Sequence, residues 1–116
     1  MRRHEQLSIF TRWSDFLSWL LDTTEKFPKK IRFTISSRLD NIALDILEKI
    51  IEAVYTKEKI EILKEINLQL EKMRVILRIC CNKQYLSKQK YDYSIKELYE
   101  IGKMLGGWIK QQNEKL

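Results

Sequence analysis

Glycine and proline are scarce in this chain: three Gly and one Pro in 116 residues. An all-β fold needs many tight turns, and so small a supply argues against one. Histidine is scarcer still, with His4 alone near the start. One histidine leaves no zinc-ligand spacing, no Cys–His or Ser–His–Asp arrangement and no Glu-x-x-His pairs of the di-iron bundles. No glycine-rich phosphate loop exists either, because Gly102, Gly106 and Gly107 lie inside a helical pattern. An enzyme, a metal site and a cofactor are therefore not expected. No apolar run approaches the roughly 18 residues of a membrane span. Met1 to Glu5 lead into no uninterrupted apolar core and no small-residue cleavage site, so no signal peptide is expected. The two cysteines, Cys80 and Cys81, are neighbours on a helix and point about 100° apart, which disfavours an ordinary disulfide between them. Reduced thiols in a cytoplasmic protein follow.

What is present is apolar and helical. Apolar residues make up 44% of the chain, enough for one folded domain over residues 1–116. Their spacing by three and four predicts helices over about 8–26, 34–55, 57–81 and 87–112. The first carries Ile9, Trp13, Phe16, Leu17, Leu20 and Leu21, and ends at Phe27-Pro28. The second carries Ile35, Leu39, Ile42, Ala43, Ile46, Ile50, Ala53 and Val54, with Thr34 or Ser36 as its cap. The third presents Leu63, Ile66, Leu70, Met73, Leu77 and Cys80. The fourth, capped by Ser87, presents Tyr91, Ile95, Leu98, Ile101, Leu105 and Ile109. Short connections make neighbours antiparallel, so the expected fold is all-α, an up-down-up-down four-helix bundle. Met1 to Gln6 and Gln111 to Leu116 are expected to fray. Gly102 and Gly106, one turn apart, suggest a close backbone approach, or Gly106-Gly107 a bend.

Two helices are apolar on a second face. Leu68, Val75 and Ile79 lie opposite the core stripe of the third helix, as do Leu44, Ile51 and Tyr55 on the second. Scattered surface apolars are one reading. A subunit interface, which Trp19 could join, is the sharper one.

The charge is unevenly spread. The chain has 22 Lys or Arg and 16 Asp or Glu, a net charge of +6. Residues 26–38 hold Lys26, Lys29, Lys30, Arg32 and Arg38 without one acid. Residues 72–91 hold Lys72, Arg74, Arg78, Lys83, Lys88 and Lys90, again without one. Everything else carries a net −5. In an up-down-up-down bundle the first and third connections share one end, so both windows are expected to meet at one pole. Such a pole is either a solvated lysine-rich loop region or a surface for a polyanion with steeply salt-dependent binding. Arg74 and Arg78, one turn apart, either bind phosphate or pair with acids such as Glu48 and Glu52. Phe33 and Tyr85 are the aromatics best placed to stack on a base, although packing beneath the loops is the expected role of Phe33.

Several stretches carry a resemblance. Glu25 to Thr34 leading into Arg38-Leu39-Asp40-Asn41 is similar to the first-connection motif of the accessory variability determinant (Avd) proteins of diversity-generating retroelements. Leu70 to Arg78 resembles their third helix, Leu86-Ser87-Lys88 the lead-in to their fourth, and Ile101 to Lys110 their closing helix. The four-helix proteins of ribosomal RNA intervening sequences are close relatives. The Avd resemblance implies a barrel-shaped homopentamer that binds a reverse transcriptase and its template RNA, the complex that makes mutagenised cDNA for mutagenic retrohoming. It implies no catalytic site in this chain. Carried over by position, it makes Lys26, Lys29, Lys30, Arg32, Arg38, Arg74 and Arg78 candidates for RNA or polymerase contact. The alternative is a purely structural oligomer of the intervening-sequence type, without a polymerase partner.

Overall fold

The computed structural model describes residues 3–115. Four long helices follow one another: α1 (Arg3–Thr24), α2 (Ser37–Tyr55), α3 (Ile60–Asn82) and α4 (Lys88–Glu114). Each packs against its neighbours in a closed ring, α1 on α2, α2 on α3, α3 on α4 and α4 on α1. The result is an antiparallel four-helix bundle 47 Å long and about half as wide.

The core follows the apolar stripes. Trp13, Phe16, Leu20, Leu39, Ile46, Leu63, Leu70, Leu77, Leu98, Leu105 and Trp108 are among the fully buried side chains. Burying each large aliphatic side chain contributes about 1.5–3 kcal/mol, which is what holds helices of ordinary propensity together. Trp13 adds direction: its indole N–H donates to the Ala43 carbonyl at 2.9 Å and so fixes α1 against α2. A bidentate pair, Arg12 with Glu97, ties α1 to α4, and Lys49 with Glu65 ties α2 to α3 at 2.7 Å.

Several expectations from the sequence need correction. α1 begins at Arg3 rather than Ser8, and α4 runs to Glu114, so Arg3 to Gln6 and Gln111 to Glu114 are helical rather than frayed. Met1, Arg2 and Leu116, also expected to fray, lie outside the described residues. Leu21 is exposed, not inward. Trp19 does not join an outer face. It packs between Phe16 and Tyr93, ring centroids 5.6 and 4.7 Å away, in the seam of α1 and α4. Tyr91, Ile95 and Ile109 are half-buried flank residues of α4. Gly102 makes room for a side chain rather than a backbone: a Cβ there would stand 3.1 Å from Arg74 Nη2. Around Gly106 and Gly107 the space is open, and α4 passes through them as one helix.

The two ends are closed by different devices. At one, Thr56 to Lys59 link α2 to α3, and α3 starts at Ile60, three residues later than the sequence suggests. The Lys59 ammonium folds back and donates to the carbonyls of Ala53, Val54 and Thr56. Those are carbonyls that a helix end leaves unmatched, and a cation is favourable there. At the other end α3 stops in a Schellman motif. Tyr85 N–H donates to Cys80 O at 2.9 Å and Gln84 N–H to Cys81 O at 3.0 Å. Gln84 takes the left-handed conformation, φ 64°, that this motif requires. Ser87 then caps α4, its hydroxyl accepting from Lys90 N–H at 3.2 Å.

Candidate nucleic-acid interface

The first connection is a folded segment. After Phe27-Pro28 a 3₁₀ turn (Lys29–Ile31) runs into a π-helical turn (Arg32–Ser36), which passes directly into α2. Phe27 and Ile31 point inward and are buried, while the lysines and arginine between and after them are exposed. Neither Thr34 nor Ser36 caps α2 through its side chain: Thr34 Oγ1 donates to Ile31 O, and Ser36 Oγ has no hydrogen-bond partner among the described residues.

The first and third connections meet, as the topology requires. Phe27 of one stacks near Tyr85 of the other, ring centroids 6.4 Å apart. Lys26, Lys29, Lys30, Arg32, Lys83, Lys88 and Lys90 therefore surround one pole, with Arg78 about 6 Å, one turn, below the end of α3. Arg38, in the first turn of α2, faces the α2–α3 groove beside Lys72. Lys72 and Arg74 do not reach the pole. They lie about 15 and 12 Å down α3, on the waist of the bundle.

Pairing separates these cations further. Arg74 contacts neither Glu48 nor Glu52. Its Nη1 donates to Glu71 Oε2 at 2.6 Å and its Nη2 to Leu98 O at 3.4 Å, so it ties α3 to α4 beside Gly102. Lys88 pairs with Asp92 at 3.3 Å across one exposed turn. Among the described residues, Lys26, Lys29, Lys30, Arg32, Arg38, Lys72, Arg78, Lys83 and Lys90 have no carboxylate partner. Eight of these nine are exposed, and Lys90 is half-buried. A pole of unpaired cations above an acidic body is an electrostatic footprint for a polyanion.

The aromatic expectation reverses. Phe33 does not pack beneath the loops: it is 88% exposed, on the outer side of the π turn. Tyr85 is the one that packs, against Phe27. The π turn is what turns Phe33 out while Ile31 and Ser36 stay in, and no periodicity of 3.6 announces it.

On the sides of the bundle, Leu44, Ile51, Leu68, Val75 and Ile79 are exposed, and Tyr55 is 86% exposed. Leu68 and Val75 line a shallow groove of about 420 Å³ with Arg38, Ile42, Lys72 and Ile76, between α2 and α3. Both cysteines are free thiols, and burial pushes the Cys80 thiol up to about 11. No group of three or more His, Cys, Asp or Glu gathers at metal-binding distance among the described residues. No helix there is long and apolar enough to cross a membrane.

A family model described as bAvd-like matches residues 7–112, which takes in α2, α3, nearly all of α1 and α4, and both basic connections. The chain belongs to the bAvd-like family. The Avd resemblance of the first connection, third helix and closing helix is thereby supported at the level of the whole domain. A comparison with curated proteins gives no match. In this bAvd-like chain the Glu25 to Thr34 stretch lies in the 3₁₀ and π-helical connection, and Arg38 to Asn41 form the first turn of α2. Gly102, in the closing motif, seats the Arg74 guanidinium.

Proposed function

We propose that this bAvd-like protein is a non-catalytic accessory factor that holds a reverse transcriptase together with its template RNA during mutagenic cDNA synthesis. The observation that carries the RNA half is the pole itself, where two acid-free windows converge and most cations lack a carboxylate partner. Neutralising phosphates with such side chains releases counterions and drives binding without any base contact. Holding the RNA at one surface and the polymerase at another raises their effective concentration for each other. The exposed Leu44, Ile51, Leu68, Val75 and Ile79 face of α2 and α3 supports self-association into a homo-oligomer, the pentamer that the Avd resemblance implies. Such an assembly would carry its basic poles on one rim. Work on RNA beside a reverse transcriptase suits the cytoplasm.

The test is a charge-neutral pole. Lys29→Gln, Lys30→Gln, Arg32→Gln and Arg78→Gln together should lower the salt slope of template-RNA binding by about 3 to 4, since each phosphate left unneutralised removes roughly 0.9. Binding at physiological salt should fall by orders of magnitude with the helical fold intact. Wild-type affinity in this variant would sink the assignment of RNA to the pole. Light scattering on the same preparations reads self-association, and a monomer at micromolar concentration would remove the α2–α3 interface. Capture of the polymerase by tagged protein separates this function from the purely structural reading, which predicts none.

A further inference from the structure

The basic pole contains a groove whose lining has the opposite charge. It lies between the end of α1 and the π turn and has a volume of about 540 Å³, ample for one nucleoside. Asp22, Glu25 and Asp40 contribute carboxyl groups to it, and Arg32 is the only cation in its lining. Phe33 forms part of the same wall, with 88% of its surface bare. Ser36 lines it too. That residue is only 6% exposed, and its Oγ is buried without a hydrogen-bond partner among the described residues.

These features ask for a flat ligand rich in donors. A bare phenyl ring is a stacking platform, and stacking tolerates any base. Carboxylates accept only, so they select the edge of a base that carries N–H groups. Asp40 Oδ1 already accepts from Thr24 Oγ1 at 2.7 Å, and its Oδ2 has no hydrogen bond among the described residues. Arg32 in its lining, and the exposed Lys29 and Lys30 just before it in the chain, stand ready for the flanking phosphates. We propose that this groove takes one unpaired nucleobase of a bound RNA, guanine best, stacked on Phe33 with its N1–H and amino group donating to Asp40.

A cationic side chain of a protein partner is the other ligand that acceptors and a ring attract. It is disfavoured because it would approach past Lys26, Lys29, Lys30 and Arg32, none of them neutralised by a carboxylate among the described residues. An RNA brings the opposite charge to that rim. RNA recognition on single-stranded segments commonly works this way, with a base splayed out, stacked and read on its edge.

The proposal rests on the RNA role given above, and the experiment separates the two. Fluorescence anisotropy would follow the full-length protein with three labelled RNAs: a uridine decamer, the same decamer with one central guanosine, and a 20-base-pair duplex. The guanosine decamer should bind about tenfold tighter than the all-uridine one. Phe33→Ala should weaken both decamers about tenfold and leave the duplex unchanged, with the fold intact because the residue is 88% exposed and outside the core. Asp40→Asn, which keeps an acceptor for Thr24, should erase the guanosine preference. A Phe33→Ala protein that binds all three like wild type overturns the groove assignment. So does an equal weakening on the duplex, or a guanosine preference that survives Asp40→Asn. If either variant loses polymerase capture but keeps oligonucleotide binding, the groove takes a protein side chain instead. A four-fold Gln variant without RNA affinity beside an unaffected Phe33→Ala leaves the RNA role standing and removes only the groove. Wild-type protein without affinity for any of the three overturns both.

Discussion

The two ends of the bundle use their cations differently. At the α2–α3 end, Lys59 is half-buried and its ammonium is committed to three backbone carbonyls. Burial, and then the nearby Lys115, hold its pKa below the ordinary lysine range. At the other end the lysines and arginines of the first connection reach no carboxylate among the described residues, and that end is closed by backbone geometry instead: a 3₁₀ turn, a π turn and a Schellman motif. The same side-chain chemistry thus stabilises the fold at one pole and is left for a partner at the other. Substitutions that exchange stability for binding can break or sharpen this contrast.

The largest effect on stability is expected from Lys59→Met. It leaves the last carbonyls of α2 without their cation, at a cost of about 2 kcal/mol if the charged hydrogen bonds have their usual worth. A domain of this size should then melt roughly 8 °C lower, with RNA affinity unchanged. Lys30→Gln should do the reverse, weakening RNA binding with no change in melting temperature. Thermal melts and RNA titrations of the two variants side by side decide the matter. Equal behaviour would mean that the poles do not differ in kind.

Next comes Gln84→Gly. Gln84 sits at φ 64°, where a Cβ is strained and glycine is at ease. The exchange should raise stability by about 1 kcal/mol, measured by denaturant titration, because the Schellman bonds of Cys80 and Cys81 do not involve the side chain. A drop in stability would show that the glutamine side chain matters more to the third connection than its backbone does.

How far these features are legible in the sequence follows from the same contrast. The helices, the core stripes, the exposed apolar residues of α2 and α3 and the meeting of the two connections can be read from spacing and topology. The helix ends cannot. Spacing alone starts the first helix at about Ser8, yet that hydroxyl bonds back to His4 O inside a helix already under way. Thr56 and Lys57 look like the start of α3, but four residues there serve to bring Lys59 onto α2. In the acid-free windows a count of charges ignores the length of a helix: Lys72 and Arg74 share a window with Lys88 but lie well down the bundle from it. Gly102 looks like a backbone contact because a sequence does not show which neighbour fills the missing Cβ; the neighbour is Arg74. The π turn is illegible altogether, and with it the exposure of Phe33 and the isolation of Ser36 Oγ.

The smallest expected effect concerns Asp40, at the border of pole and core. Desolvation raises its pKa above the ordinary aspartate value, and the Thr24 hydrogen bond opposes this without cancelling it. The charged form is therefore less comfortable folded than unfolded. Its cost to stability develops as pH rises from the ordinary carboxylate value through the raised one, and persists above. Below both values the acid is neutral in either state and the cost vanishes. Asp40→Asn removes the titration while preserving an acceptor for Thr24 Oγ1. The variant should be slightly more stable than wild type at pH 7, and the difference should close as the pH falls below about 4. Other carboxylates also titrate there, so only the difference between the two proteins, melted in parallel, carries the information. Position in the first turn of α2 works the other way, since a negative charge is favourable at a helix N-terminus. A variant less stable than wild type at pH 7 would mean that the helix dipole outweighs burial. Asp40 would then be a structural anion of α2 rather than an acceptor held, at some cost to the fold, beside the groove.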